Sequence, residues 1–215
     1  MYYDAMNEKQ IEHALHSPEL RERYPELTEP SERTKKAIAI FKEIAREASE
    51  RGREVVFMSG LAVDAHFGYL TRDHRDVDLM ALGDAISDIK SFLESNGHVI
   101  TDPGVRGESF KVDPTDPNHP TWSHGDLHLY HKDEKNNVVI PHDGKELKFN
   151  ASIEEMTEEL TFLGERARFL KPQYLLEEKV GWNDQVGFRG TEENEVKNQK
   201  EIEKIKFLIE NEKTQ

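Results

Sequence analysis

Met58-Ser59-Gly60 is followed, after fifteen residues, by Asp76-Val77-Asp78-Leu79. On an extended chain successive side chains point to opposite faces, so Asp76 and Asp78 share one face while Val77 and Leu79 share the other. One face can hold a metal while the other packs. The run Glu54 to Met58 (EVVFM) reads as a strand that ends at a small-residue turn. Leu61 to Phe67 then reads as a short helix, so the turn at Ser59 and Gly60 places backbone N–H groups at a helix N-terminus, where an anionic phosphate can be held. A third acid lies in Ser123-His124-Gly125-Asp126-Leu127-His128-Leu129-Tyr130, where Leu127 and Leu129 alternate with His124, Asp126, His128 and Tyr130. Burying the leucines directs Asp126 to a cleft. Beside Asp76 and Asp78, it completes three carboxylates for one or two octahedral magnesium ions that bridge phosphates, the arrangement of phosphoryl or nucleotidyl transfer.

Other chemistry fits parts of the pattern. His124-x-Asp126 suits one edge of a facial iron triad. An oxygenase of that kind expects a mostly β jelly roll and leaves Asp76 and Asp78 unexplained. Asp-x-Asp also occurs on solvated strands, and His124 and His128 could simply decorate one.

The positioning elements are legible from periodicity. Thr34 to Arg51 carries Ala37, Ile38, Ile40, Phe41, Ile44 and Ala45 at helical spacing. A strand over Asp76 to Leu82 precedes a helix capped by Asp84. After Gly97, short runs separated by turn residues predict strands over 98–101, 109–112, 125–131, 138–140 and 146–149. Beyond Asn150 the chain turns helical and charged, with helices expected over 152–159, 172–180 and 192–212. Residues 1–33, broken by Pro18, Pro25 and Pro30, read as a loosely packed lead-in. The fold class is α/β (α+β): a nucleotide-handling mixed sheet flanked by helices over residues 1–150, with a smaller helical domain over 151–215.

The 215 residues suffice for a substantial core. A formal charge of −14 argues against tight nucleic-acid binding, which needs clustered Lys and Arg. Without cysteine, disulfides, thiolate metal sites and cysteine nucleophiles are excluded. The opening residues lack a basic region followed by an apolar core, and no apolar run reaches spanning length, so a cytoplasmic protein with no membrane contact is expected.

From Ser59-Gly60 through Asp64, Gly68, Thr71-Arg72-Asp73-His74 to Asp76-Val77-Asp78, the chain resembles the lincosamide and aminoglycoside nucleotidyltransferases of the DNA polymerase beta-like superfamily. That family pairs a Gly-Gly turn with an Asp four residues on, a Thr-Arg-x-His segment, and Asp-x-Asp at this separation. Asp126-Leu127-His128, Leu176 to Trp182 and Lys197 to Ile202 are similar to its later elements. Ser59 stands where the family has the first glycine, and its Cβ restricts the turn. Asn198 and Glu201 stand at acidic positions of the closing pattern, a difference read as one of domain packing.

The resemblance implies transfer of a nucleoside monophosphate, AMP from Mg-ATP or another NTP, to a hydroxyl of a small molecule such as an aminoglycoside or lincosamide. Asp76, Asp78 and Asp126 would hold Mg2+, with Asp126 also taking the acceptor's proton. Ser59, Gly60, Arg72, His74 and Lys179 would contact the nucleotide, Asp64 would support the site, and Tyr174 and Trp182 would line a pocket or the core. Alternatives are a toxin-like enzyme acting on RNA or protein, and a catalytically silent nucleotide-binding module. A homodimer that completes the site is also compatible with the sequence.

Overall fold

The computed structural model describes residues 18–101, 109–114, 125–142, 144–184 and 192–212. His124 and the first seventeen residues lie outside that set. A short helix α1 (Pro18–Arg23) leads to α2 (Glu32–Arg51). In α2 the expected periodicity buries Ala37, Ile40, Phe41, Ile44 and Ala45. Ser31 caps its N-terminus by accepting from the Thr34 N–H, and Gly52 ends it in the left-handed conformation, φ 60°. Strand β1 (Val55–Phe57) and helix α3 (Ser59–Phe67) follow, then β2 (Leu79–Ala81) and α4 (Gly83–Ser95).

Asp84 does not cap α4: Leu82 occupies the cap position, and Asp84 sits in the first turn, where its carboxylate favours the positive end of the helix dipole and pairs with Arg53 at 3.0 Å. Strands β3 (His98–Thr101), β4 (Ser109–Pro114) and β5 (Gly125–Leu129) complete one wing of the main sheet. A separate antiparallel sheet holds β6 (His131–Lys132), β7 (Val138–His142) and β8 (Lys145–Lys148).

The helix expected over 152–159 shrinks to one turn, α5 (Ile153–Met156), closed by a Ser152–Glu155 capping box. The chain then enters a hairpin, β9 (Thr157–Phe162) and β10 (Glu165–Leu170). Leu163 (φ 51°) and Gly164 (φ 86°) supply the two positive-φ residues of its tight turn. Phe162 and Phe169 turn inward, both rings meeting Phe41 and that of Phe169 also meeting Phe57, with contacting ring centroids between 4.8 and 6.2 Å apart. Burial of that aromatic face outweighs the helical reading of a charged segment. Helices α6 (Pro172–Asp184) and α7 (Glu192–Glu212) close the chain, α7 within the bounds expected.

The main sheet runs β3-β4-β5-β2-β1-β10-β9, a mixed sheet flanked by helices as expected. It crosses the boundary expected at residue 150, because β10 pairs in parallel with β1. Only α6 and α7 therefore form a helical C-terminal layer, while residues 157–170 belong to the core sheet.

This topology gathers one end of the sheet. Strand β1 runs toward it and stops before Ser59; β2, antiparallel to β1, begins there after Asp78; β5, parallel to β2, begins there with Asp126 as its second residue. Strand β10, parallel to β1, also ends there and delivers α6. Strand β2 is shorter than the expected 76–82 because its partner β1 turns into α3 at Ser59, leaving one ladder bond beyond it, Met58 N–H to Asp78 O at 3.0 Å.

The register Leu79 opposite Leu127 sets Asp78 beside Asp126 and Val77 beside Gly125. Gly125 is needed for that approach: a Cβ there would stand 2.3 Å from the Val77 carbonyl oxygen. Gly125→Ala should therefore push β5 away from the 76–78 segment. A cost of about 1–3 kcal/mol, the scale of core overpacking, lowers the melting temperature by about 2–4 °C per kcal/mol. An unchanged melting curve would contradict this packing.

Candidate active site

The three acids found in the sequence meet at the gathered end of the sheet. Val77, Leu79 and Leu127 are buried on the packing face, while Asp76, Asp78 and Asp126 are half-buried on the other. Burial raises the Asp78 pKa well above the usual carboxylate value, and the adjacent charges of Asp76 and Asp126 raise it further. Among the described residues, no three His, Asp or Glu side chains already close around a common metal position. Adjacent like charges repel, and a hard divalent cation, which takes oxygen ligands, fits this all-carboxylate set.

The turn before α3 is built differently from a plain phosphate loop. Ser59, the first residue of α3, is left-handed at φ 54°. Its strain is offset by Glu178 of α6, which is buried to 1% exposure. Glu178 accepts hydrogen bonds from the Ser59 N–H (3.2 Å) and from the Ser59 hydroxyl (2.6 Å). A carboxylate at the positive end of α3 is electrostatically favoured there. Lys179, one residue on, donates to Ser59 Oγ at 3.4 Å and pairs with Glu201 of α7 at 3.0 Å. Burial acts to lower the Lys179 pKa, but the charges of Glu201, Glu178 and Asp78 raise it above that of an ordinary lysine. It stays charged.

Arg72 reaches the same place from the loop between α3 and β2. Its guanidinium pairs with Glu201 and donates to the Asp73 carbonyl at 2.7 Å. The loop is fixed from below by Asp64, buried to 1% exposure. Asp64 accepts from the Thr71 N–H (2.9 Å) and the Thr71 hydroxyl, and its Oδ2 lies 2.7 Å from His74 Nε2. Lys204 of α7 donates to Thr71 Oγ1 at 2.5 Å. Thr34 and Ser31 at the start of α2 hold Asp73 Oδ1 at 2.6 and 2.8 Å.

The sequence-derived residues thus fall into two sets. Asp76, Asp78, Asp126, Ser59, Gly60, Arg72 and Lys179 converge, whereas His74 lies beneath the loop, 1% exposed, facing Asp64. Tyr174 packs edge-on to Phe149, 6.5 Å between centroids. The Trp182 side chain lies outside the described residues.

Two buried acids that sequence reasoning did not assign to the site, Glu178 and Glu201, are central to it. Their signal in the sequence was slight: a charged residue beside Lys179, and an acid within Lys197 to Ile202.

The sequence model of the aminoglycoside-2''-adenylyltransferase family matches residues 41–116, a span that includes Ser59 through Asp78 and stops short of Asp126. No curated protein sequence matches the chain. Solved structures with the same fold include the lincosamide antibiotic adenylyltransferase LnuA bound to lincomycin, at 15% identity and a TM-score of 0.56, covering 79% of this chain and 96% of that one. The solution structure of the antibiotic-resistance factor ANT(2'')-Ia matches at 16% identity and a TM-score of 0.57, covering 81% and 90%. ANT(2'')-Ia with adenylyl-2''-tobramycin matches at 16% and 0.54, covering 81% and 95%. The matched span and the shared fold make the chain similar to the lincosamide and aminoglycoside nucleotidyltransferases.

Proposed function

We propose that the chain transfers a nucleoside monophosphate, AMP from ATP, to a hydroxyl of a small acceptor and releases pyrophosphate. The observation that carries this reading is the placement of Asp78 beside Asp126 at the sheet end where Ser59 opens α3. Asp76, Asp78 and Asp126 would hold magnesium, which when bound neutralises phosphate charge and orients the triphosphate. Arg72 and Lys179 would meet the phosphates from two sides, and Gly60 would leave room for them. Asp126 would take the acceptor's proton as its oxygen bonds to the α-phosphorus and the bond to pyrophosphate breaks. Because attack is direct, no covalent protein intermediate is required, which suits a chain without cysteine.

The acceptor is proposed as an aminoglycoside or lincosamide. The adenylyl-tobramycin and lincomycin complexes of the structural neighbours support that class. The competing reading, a silent nucleotide-binding module, draws on the Ser59 N–H and hydroxyl both being engaged by Glu178. Pyrophosphate release across a panel of aminoglycosides and lincosamides separates the two, since only the enzyme releases it.

Asp76→Asn should lower turnover of a confirmed acceptor by about a hundredfold or more, the scale of losing one preorganised charge contact in a transition state. Unchanged turnover would remove the carboxylates from the mechanism.

Asp78 gives a second expectation with a definite sign. Its folded pKa lies above its unfolded one, so between the two the native state binds more protons and stability falls as pH rises. Without divalent cation, the melting temperature should fall as pH climbs through the folded pKa, and magnesium should restore more of it at high pH than at low. Asp78→Asn should flatten this profile and melt higher than the parent at neutral pH in chelator, while losing turnover. A parent protein whose melting point rises with pH would reverse the assignment.

A third expectation concerns Ser59→Ala, which keeps the backbone geometry but removes the hydroxyl bond to buried Glu178. About 1.5–3 kcal/mol should be lost, read as a lower denaturation midpoint.

A further inference from the structure

Glu201 of α7 is 2% exposed, and each of its carboxylate oxygens faces a different cation: Oε1 pairs with Arg72 and Oε2 lies 3.0 Å from Lys179. The Arg72–Glu201 pair lies against the turn before α3. A Cβ on Gly60 would stand 1.9 Å from Arg72 Nη2 and 3.0 Å from Glu201 Oε1. Gly60 therefore serves this ion pair as well as any phosphate, because only a residue without a side chain lets the pair approach the turn so closely.

Arg72 comes from the loop after α3 and Lys179 from α6, so the two cations have no covalent reason to stand together. Like charges brought to one cleft repel, and a shared carboxylate between them removes that cost. Burial keeps Glu201 behind the cations instead of in the path of an incoming anion. Its own pKa shows the balance: burial acts to raise it, but the charges of Lys179, Arg72 and Lys197 hold it well below the usual carboxylate range, so the carboxylate stays ionised and pairs with both.

We infer that Glu201 is a positioning residue for nucleotide binding: one buried carboxylate on α7 fixes Arg72 and Lys179 at the mouth of the turn so that both cations address the triphosphate. This rests on the nucleotidyl-transfer reading, and goes beyond it in giving the C-terminal helix a function in substrate affinity instead of packing alone. The role acts through Arg72 and Lys179, and Glu201 itself touches no substrate.

The test uses the full chain, magnesium and ATP, with calorimetric titration and thermal melting of each variant. Glu201→Gln, which keeps the shape but not the charge, should raise the ATP dissociation constant about tenfold or more while the protein remains folded. Glu201→Asp, which keeps the charge on a shorter stem that reaches one cation better than two, should recover part of that affinity. If Glu201 acts through Arg72, Glu201→Gln should cost less in an Arg72→Ala background than in the parent.

A folded Glu201→Gln with an ATP affinity within twofold of the parent would overturn the inference, as would full additivity with Arg72→Ala. Should Glu201→Gln not fold, Glu201→Asp decides: parental affinity sinks the proposal and reduced affinity sustains it. A parent chain that binds none of the four common nucleoside triphosphates with magnesium would overturn the transfer reading itself. Parental binding with an indifferent Glu201 variant overturns only the role of Glu201.

Discussion

Like charge held at close range is the constraint on which the rest of this structure depends. Asp78 feels Asp76, Asp126 and Glu178 together, with the Lys179 charge acting against them. Such a cluster is unfavourable by itself and has to be imposed by the backbone. Here the imposition comes from strand direction: β1 leaves where β2 and β5 arrive, so the acids are fixed before their side chains have any say. The hydrophobic faces of the same strands, through Val77, Leu79 and Leu127, supply the burial that keeps them in place.

Around this acidic centre the polar groups form layers with different tasks. Asp64 spends its oxygens on Thr71 and His74, and so makes a rigid loop from a stretch with no regular structure. Arg72 projects from that loop. Glu178 and Glu201 arrive from α6 and α7 and engage the turn and its cations, which ties the last helices to the first helical turn of α3. Ser59 belongs to this arrangement: where a glycine would accept the left-handed conformation freely, serine takes it with a hydroxyl bond to Glu178 as compensation.

Much of this was legible in the sequence, and the reasons are specific. Alternation separated Asp76, Asp78 and Asp126 from the buried Val77, Leu79 and Leu127, because a two-residue period survives whatever the partner strand is. The helix over Glu192–Glu212 was visible from its length and charge. The hairpin at 157–170 was hidden, since Glu158, Glu159, Glu165 and Arg166 give it the composition of an exposed helix, while its buried residues, Thr157, Phe162, Phe169 and Leu170, are few and widely spaced. Glu178 and Glu201 were hidden for another reason: a glutamate on a polar helix looks solvated until the fold buries it, and no local pattern marks the partner more than a hundred residues away. His74 shows the converse, a residue whose type suggests phosphate contact and whose position, under the loop on Asp64, gives it a partner within the protein.

The parallel seam between β1 and β10 decides how the chain could be divided. A fragment ending near residue 150 would keep all three aspartates yet expose the hydrogen-bonding edge of β1 and the rings of Phe41 and Phe57 that Phe162 and Phe169 cover. Such an edge invites association with other chains. The three aspartates and the hairpin through Leu170 thus share one continuous sheet.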